Sequence, residues 1–133
     1  MDIFNPATVA PPFGHYSHAL AAGPNARWLH LSGQVGVAPD GTLANGLTAQ
    51  TGQAFANIAA ILKDAGFDKS HLVKVTTFLV QRGEVSADDV AAYRDVRNAF
   101  LGGVRPASTL LGVAGLASPG WLIEIEAVAA KEG

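Results

Sequence analysis

"WLIEIEAVAA", residues 121–130, carries the alternation that decides the architecture. Successive side chains of a β-strand point to opposite faces, so Ile123, Ile125, Ala127 and Ala129 share one face and Leu122, Glu124, Glu126 and Val128 share the other. The first face is wholly apolar and suits packed helices. The second mixes aliphatic residues with two glutamates, which is neither clean core nor clean solvent surface. Two readings fit it: an inter-subunit sheet surface carrying a polar cleft, or an ordinary solvated face.

Working outward, "ASTLLGV" (107–113) reads as a strand joined to the last one through "AGLASPG" (114–120). "LVKVTTFLV" (72–80) is apolar and β-branched, a further strand. Between them, Ser86 followed by Asp88 and Asp89 signals a helix start, a capping hydroxyl with two anions in the first turn. That helix runs to about Phe100, with Val90, Tyr93, Val96 and Phe100 inward and Gly102-Gly103 at its end. Arg97 then faces away from the helix core, free to approach a neighbouring subunit. Leu47 to Ala65 has helical period, with Phe55, Ile58, Leu62 and Ala65 on one stripe and Gly66 as the stop. After a proline-punctuated arm, "HALAAG" (18–23) and "RWLHLSGQVGV" (27–37) read as a hairpin across the Gly-Pro-Asn-Ala turn at 23–26. "APDGTLANG" (38–46) is a loop. The order is β-β-α-β-α-β-β, an α+β sheet with two helices on one face, in one domain spanning 1–133.

Composition narrows the function classes. Hydrophobic residues make up 49% of the 133 and charged residues only 15%, against a quarter or so in an average soluble domain. With so few charges to cover its surface, the chain is expected to hide apolar area in an oligomer. The net charge is −2 and no two of the nine Lys and Arg are adjacent, so no nucleic-acid partner is expected. There is no cysteine, hence no thiolate nucleophile and no cysteine zinc site. "MDIFNPATVAPP" lacks a basic start followed by an apolar run, so a signal peptide is not expected, nor is a membrane span. A cytoplasmic oligomer is the expectation.

Few residues announce chemistry. Glu124 and Glu126 lie roughly 7 Å apart along one strand, and paired carboxyl groups can divide acid and base roles; two glutamates facing water are the plainer reading. His15 and His18 do not have the helical spacing of a zinc motif, and His30 alternates with Trp28 and Ser32 as a strand residue, so no metal site is expected. "SGQVG" (32–36) lacks the phosphate-cradling pattern, and its glycines suit close backbone approach at a strand bend. Ser32 and Ser108 have no relay partners in sequence for nucleophilic catalysis.

Six stretches taken together resemble one family: "NPATVAPPFGHYSHAL" (5–20), "LSGQVGVAPDG" (31–41), "AQTGQAFANIAAILKDAG" (49–66), "VKVTTFLV" (73–80), "RPAST" (105–109) and "IEIEAVA" (123–129). They are similar, in order and over nearly the whole chain, to the RidA family, also called YjgF or L-PSP endoribonuclease. The resemblance implies a chorismate-mutase-like α+β fold and a homotrimer around a central barrel, with small-molecule clefts between subunits. It implies hydrolysis of reactive enamines and imines to carbonyl compounds and ammonia, without a metal or organic cofactor. Carried over by motif, Glu124 orients the attacking water, while Tyr16 and the turn at Gly33 line the cleft. The family's carboxylate-binding arginine, in a "P-A-R-S/T" motif, falls on Ser108.

That departure has physical weight. A guanidinium grips a carboxylate through two charge-assisted hydrogen bonds, whereas a serine hydroxyl offers one neutral donor. Arg105 is the nearest substitute in sequence, but it lies about 10 Å back along an extended segment and points to the opposite face. The expectation is therefore deamination of a C=N compound other than a simple 2-imino acid. The alternative is a trimer that binds a small metabolite without turning it over. Ribonuclease activity ranks last on charge.

Overall fold

The computed structural model describes residues 1–132. Its main sheet has four strands: β3 (Arg27–Val35), β4 (Leu72–Val80), β5 (Ala107–Val113) and β6 (Ile123–Lys131). They lie in the order β3-β6-β4-β5, with β6 antiparallel to both β3 and β4, and β5 parallel to β4. Two helices, α1 (Leu47–Asp64) and α2 (Ala87–Leu101), provide the crossovers. A parallel pair needs such a connection, and α2 supplies it between β4 and β5. The α+β expectation holds.

The core is the layer between sheet and helices. Ile123, Ile125, Ala127 and Ala129 are all buried there, with Val75, Thr77 and Leu79 from β4, and Phe55, Ile58 and Leu62 from α1. The Phe55 and Phe100 rings stack at 4.7 Å between centroids and tie α1 to α2. Ser86 caps α2, its hydroxyl accepting from the Asp89 amide. Gly66, at φ +82°, ends α1: its amide bonds the Lys63 carbonyl, and that of Phe67 bonds Leu62. Both bonds belong to the left-handed termination that a glycine permits without strain.

Two expectations are corrected. The residues around Leu20 do not form a hairpin with β3. The strand Ala19–Ala21 (β2) pairs instead with Asp2–Phe4 (β1), a strand in the stretch read as an irregular arm. The 23–26 turn does close, Ala26 donating to the Gly23 carbonyl. The Gly23 amide, however, is taken by Glu132 just beyond β6, and Glu132 also pairs with the N-terminal ammonium. These bonds hold the arm against β2, while β3 is satisfied by β6.

The second correction concerns α2. Its buried residues are Tyr93, Arg97 and Leu101, a stripe rotated from the one expected. Val90, Val96 and Phe100 are only partly buried at its flank. Arg97 therefore points into the protein, not away from it. Among the described residues no helix is long and apolar enough to cross a membrane.

Candidate functional site

A cavity of about 440 Å³ opens on the helix side of β5. Its floor is Ser108 and Leu110 of β5, one wall is Arg94, Arg97 and Asn98 of α2, and its rim is the arm around Tyr16. The arm keeps its shape through local bonds: Phe13 donates its amide to the Tyr16 hydroxyl, and Tyr16 donates its own to the Gly14 carbonyl. The Ser17 amide bonds the Pro106 carbonyl at 3.1 Å and fixes the arm to the entry of β5. Tyr16 and Ser108, both expected at the site, thus meet in one cavity.

Arg97 is the side chain that the sequence reading placed elsewhere. It is only 6% exposed. Its Nε and Nη2 both donate to Asn98 Oδ1, and its guanidinium lies 5.5 Å from the Tyr93 ring centre. Nη2 reaches the arm, lying 3.4 Å from where a Cβ on Gly14 would stand. Burial lowers its pKa most, and the neighbouring Arg94 charge adds to that. On the rim, the His15 imidazole is also held below its ordinary value, first by loss of water and then by the charges of Arg105 and Arg97. Arg97 stands four residues from both Tyr93 and Leu101, on the same helix face, a spacing that a count of apolar residues alone passes over.

Arg105 does not line this cavity. Its Nη1 donates to the carbonyls of Gly102 and Val104, closing the end of α2. The two carbonyls hold the guanidinium where its charge is felt by His15 without facing Ser108.

The glutamates lie on the other side of the sheet. Glu124 is level with Phe78 of β4, which is level with Leu111 of β5, whereas Ser108 is level with the buried Val75. Facing partners in register share a face, so Glu124 and Ser108 sit on opposite faces of one sheet. The β3–β6 register slips between Leu31 and Gln34, a bulge at Ser32-Gly33. The Glu124 side chain folds into the space that opens there, and a Cβ on Gly33 would fall 2.0 Å from its Oε2. Glu126 lines a separate hollow of about 280 Å³ with His30, Lys74 and Thr76. Three of the four histidines, those weighed for a metal site, are apart in use: His15 is on the cavity rim, His18 Nε2 bonds the Ala10 carbonyl, and His30 stacks on Trp28.

The sequence model of the Endoribonuclease L-PSP family matches residues 7–131. The chain belongs to that family, the one also called RidA. Among curated relatives, a 2-iminobutanoate/2-iminopropanoate deaminase of Capra hircus is 34% identical, over 97% of this chain and 89% of its own length. A RutC family protein of Pyrococcus horikoshii is 36% identical, over 91% of this chain and 90% of its own. Among solved structures, a Rid-family protein of Yersinia pestis superposes with a TM-score of 0.85 at 36% identity, over 98% of each chain. In this RidA-family chain the family motif around Ser108 thus faces a cavity walled by two arginines of α2.

Proposed function

We propose that this chain hydrolyses the C=N bond of small reactive imines or enamines, at clefts between the subunits of a homotrimer. Water oxygen adds to the imine carbon, the C–N bond breaks, and the products are a carbonyl compound and ammonia. Glu124 orients the water, takes up its proton as the oxygen attacks and returns it to the nitrogen as ammonia leaves. The observation that carries this reading is the seat of Glu124: its side chain lies over Gly33 at the β3 bulge, held between two strands rather than on a loop. Such fixed placement is what water activation requires. The deaminase name of the Capra hircus relative supports the same chemistry.

The test is ammonia release from freshly generated 2-imino acids. Glu124→Gln is expected to lower turnover at least a hundredfold, the usual contribution of a positioned acid–base group being about 10²–10⁴, with ligand affinity kept. A natural protein that binds ligand without releasing ammonia would instead establish the non-catalytic binding trimer, a reading that Ser108 favours by lacking the family arginine's charge. Turnover undiminished in Glu124→Gln would remove Glu124 from the mechanism.

A further inference from the structure

Arg97 is a buried cation without a counter-ion among the described residues. The ion pairs among the described residues are those of the N-terminus with Glu132 and of His71 with Asp68. Arg97 has the neutral Asn98 amide oxygen and the ring and neutral hydroxyl of Tyr93. Taking a charge out of water is costly unless an opposite charge meets it, so buried charges are normally paired. This one lies in the wall of an open cavity, with Arg94 beside it and no carboxyl group among the lining residues. Asn98 holds Nε and Nη2 and the Tyr93 hydroxyl is within reach of the guanidinium, but no carboxylate among the described residues pairs with it. Ser108 adds a hydroxyl at the floor.

We propose that Arg97 is the anion-binding residue of this cavity and holds the carboxylate of a small 2-imino or 2-keto acid, with Arg94 and Ser108 beside it. The charge that the strand position of Ser108 lacks is supplied from α2, one layer above. This deepens the proposed function by naming the residue that selects an anionic substrate, and it rests on that reading only for the identity of the acid. It also revises the expectation drawn from Ser108 alone, since a carboxylate substrate is no longer without a cationic partner. Two arginines select for an anion, and the cavity of about 440 Å³ has ample room for so small an acid.

The experiment compares binding of 2-oxobutanoate, an unreactive keto acid, with its neutral analogue 2-oxobutanamide by titration calorimetry. The natural protein is expected to prefer the acid roughly ten- to hundredfold, the range of one charge-assisted hydrogen bond. Arg97→Gln should erase that preference, and Arg97→Lys, which keeps charge but loses the fork, should retain part of it. Equal affinity for acid and amide in the natural protein overturns the proposal; that is also the result if a carboxyl group of a second copy neutralises Arg97. An unchanged preference in Arg97→Gln overturns it equally. If Arg97→Gln does not fold, the acid–amide comparison in the natural protein and in Arg97→Lys decides. Acid binding that depends on Arg97, in a protein that releases no ammonia, would uphold this proposal while refuting the enzyme reading.

Discussion

Two glycines three residues apart hold space for different reasons, and the difference is measurable. A methyl group on Gly33 would meet the far end of the Glu124 side chain at 2.0 Å. A methyl on Gly36 would meet the Gln50 Cα at 2.5 Å. A side-chain end can rotate away at about 1 kcal/mol or less, the cost of leaving a good rotamer; a helix backbone cannot. Gly33→Ala is therefore expected to unfold close to the natural protein, yet to lose roughly a hundredfold in turnover, as small misplacements of a catalytic group do. Gly36→Ala should lose roughly 1–3 kcal/mol of stability, the range for overpacking. Denaturant unfolding beside ammonia release separates the two, and full activity in Gly33→Ala would mean that the seat of Glu124 is not needed. That glycines here allow close approach was legible from "SGQVG"; which atoms come close was not, because Glu124 and Gln50 are brought there by long-range pairing.

At the scale of the element, α2 serves both core and cavity. Its Tyr93 hydroxyl and the Thr77 hydroxyl of β4 are 2.7 Å apart and both residues are fully buried. Burial pushes the Tyr93 phenol's pKa up, against the bond to Thr77, so it remains a neutral hydrogen-bonding group. Removing one partner strands the other without water. Tyr93→Phe, or Thr77→Val, is expected to cost about 1–3 kcal/mol, whereas the double substitution should cost clearly less than the sum; thermal unfolding of the three variants checks this, and strictly additive losses would show the bond to be idle. The ends of β4 and β5 were readable because apolar, β-branched runs are bounded there by polar or glycine-rich stretches. The phase of α2 was not. Counting only apolar residues put Val96 inward, since nothing in hydropathy says that an arginine will lie under its own helix. The hairpin failed for a similar reason: turn chemistry at 23–26 closes a turn, but the partner of β2 is decided by Glu132, 109 residues away from Gly23.

For the whole molecule, the sheet itself is the obstacle to a one-chain active site. Glu124 is on the open face with Phe78 and Leu111, and Arg97, Tyr16 and Ser108 surround a cavity on the helix side. The open face carries the exposed Trp28 and Leu111 beside His30 and Glu126, a mixed surface foreseen from the alternation of residues 121–130, although the alternation says nothing of what covers it. If Glu124 activates water for a substrate held by Arg97, the two must come from different subunits across a head-to-tail interface, which closes into a ring. Complementation tests this directly. Glu124→Gln and Arg97→Gln chains, each nearly inactive at low substrate, are co-expressed in equal amounts so that mixed oligomers form. A cleft is then complete when the Arg97→Gln subunit supplies Glu124 and the Glu124→Gln subunit supplies Arg97, so random mixing in a cyclic oligomer should restore about a quarter of the natural activity. No recovery from mixed oligomers whose sedimentation matches the natural protein would mean that Glu124 and Arg97 never serve one substrate.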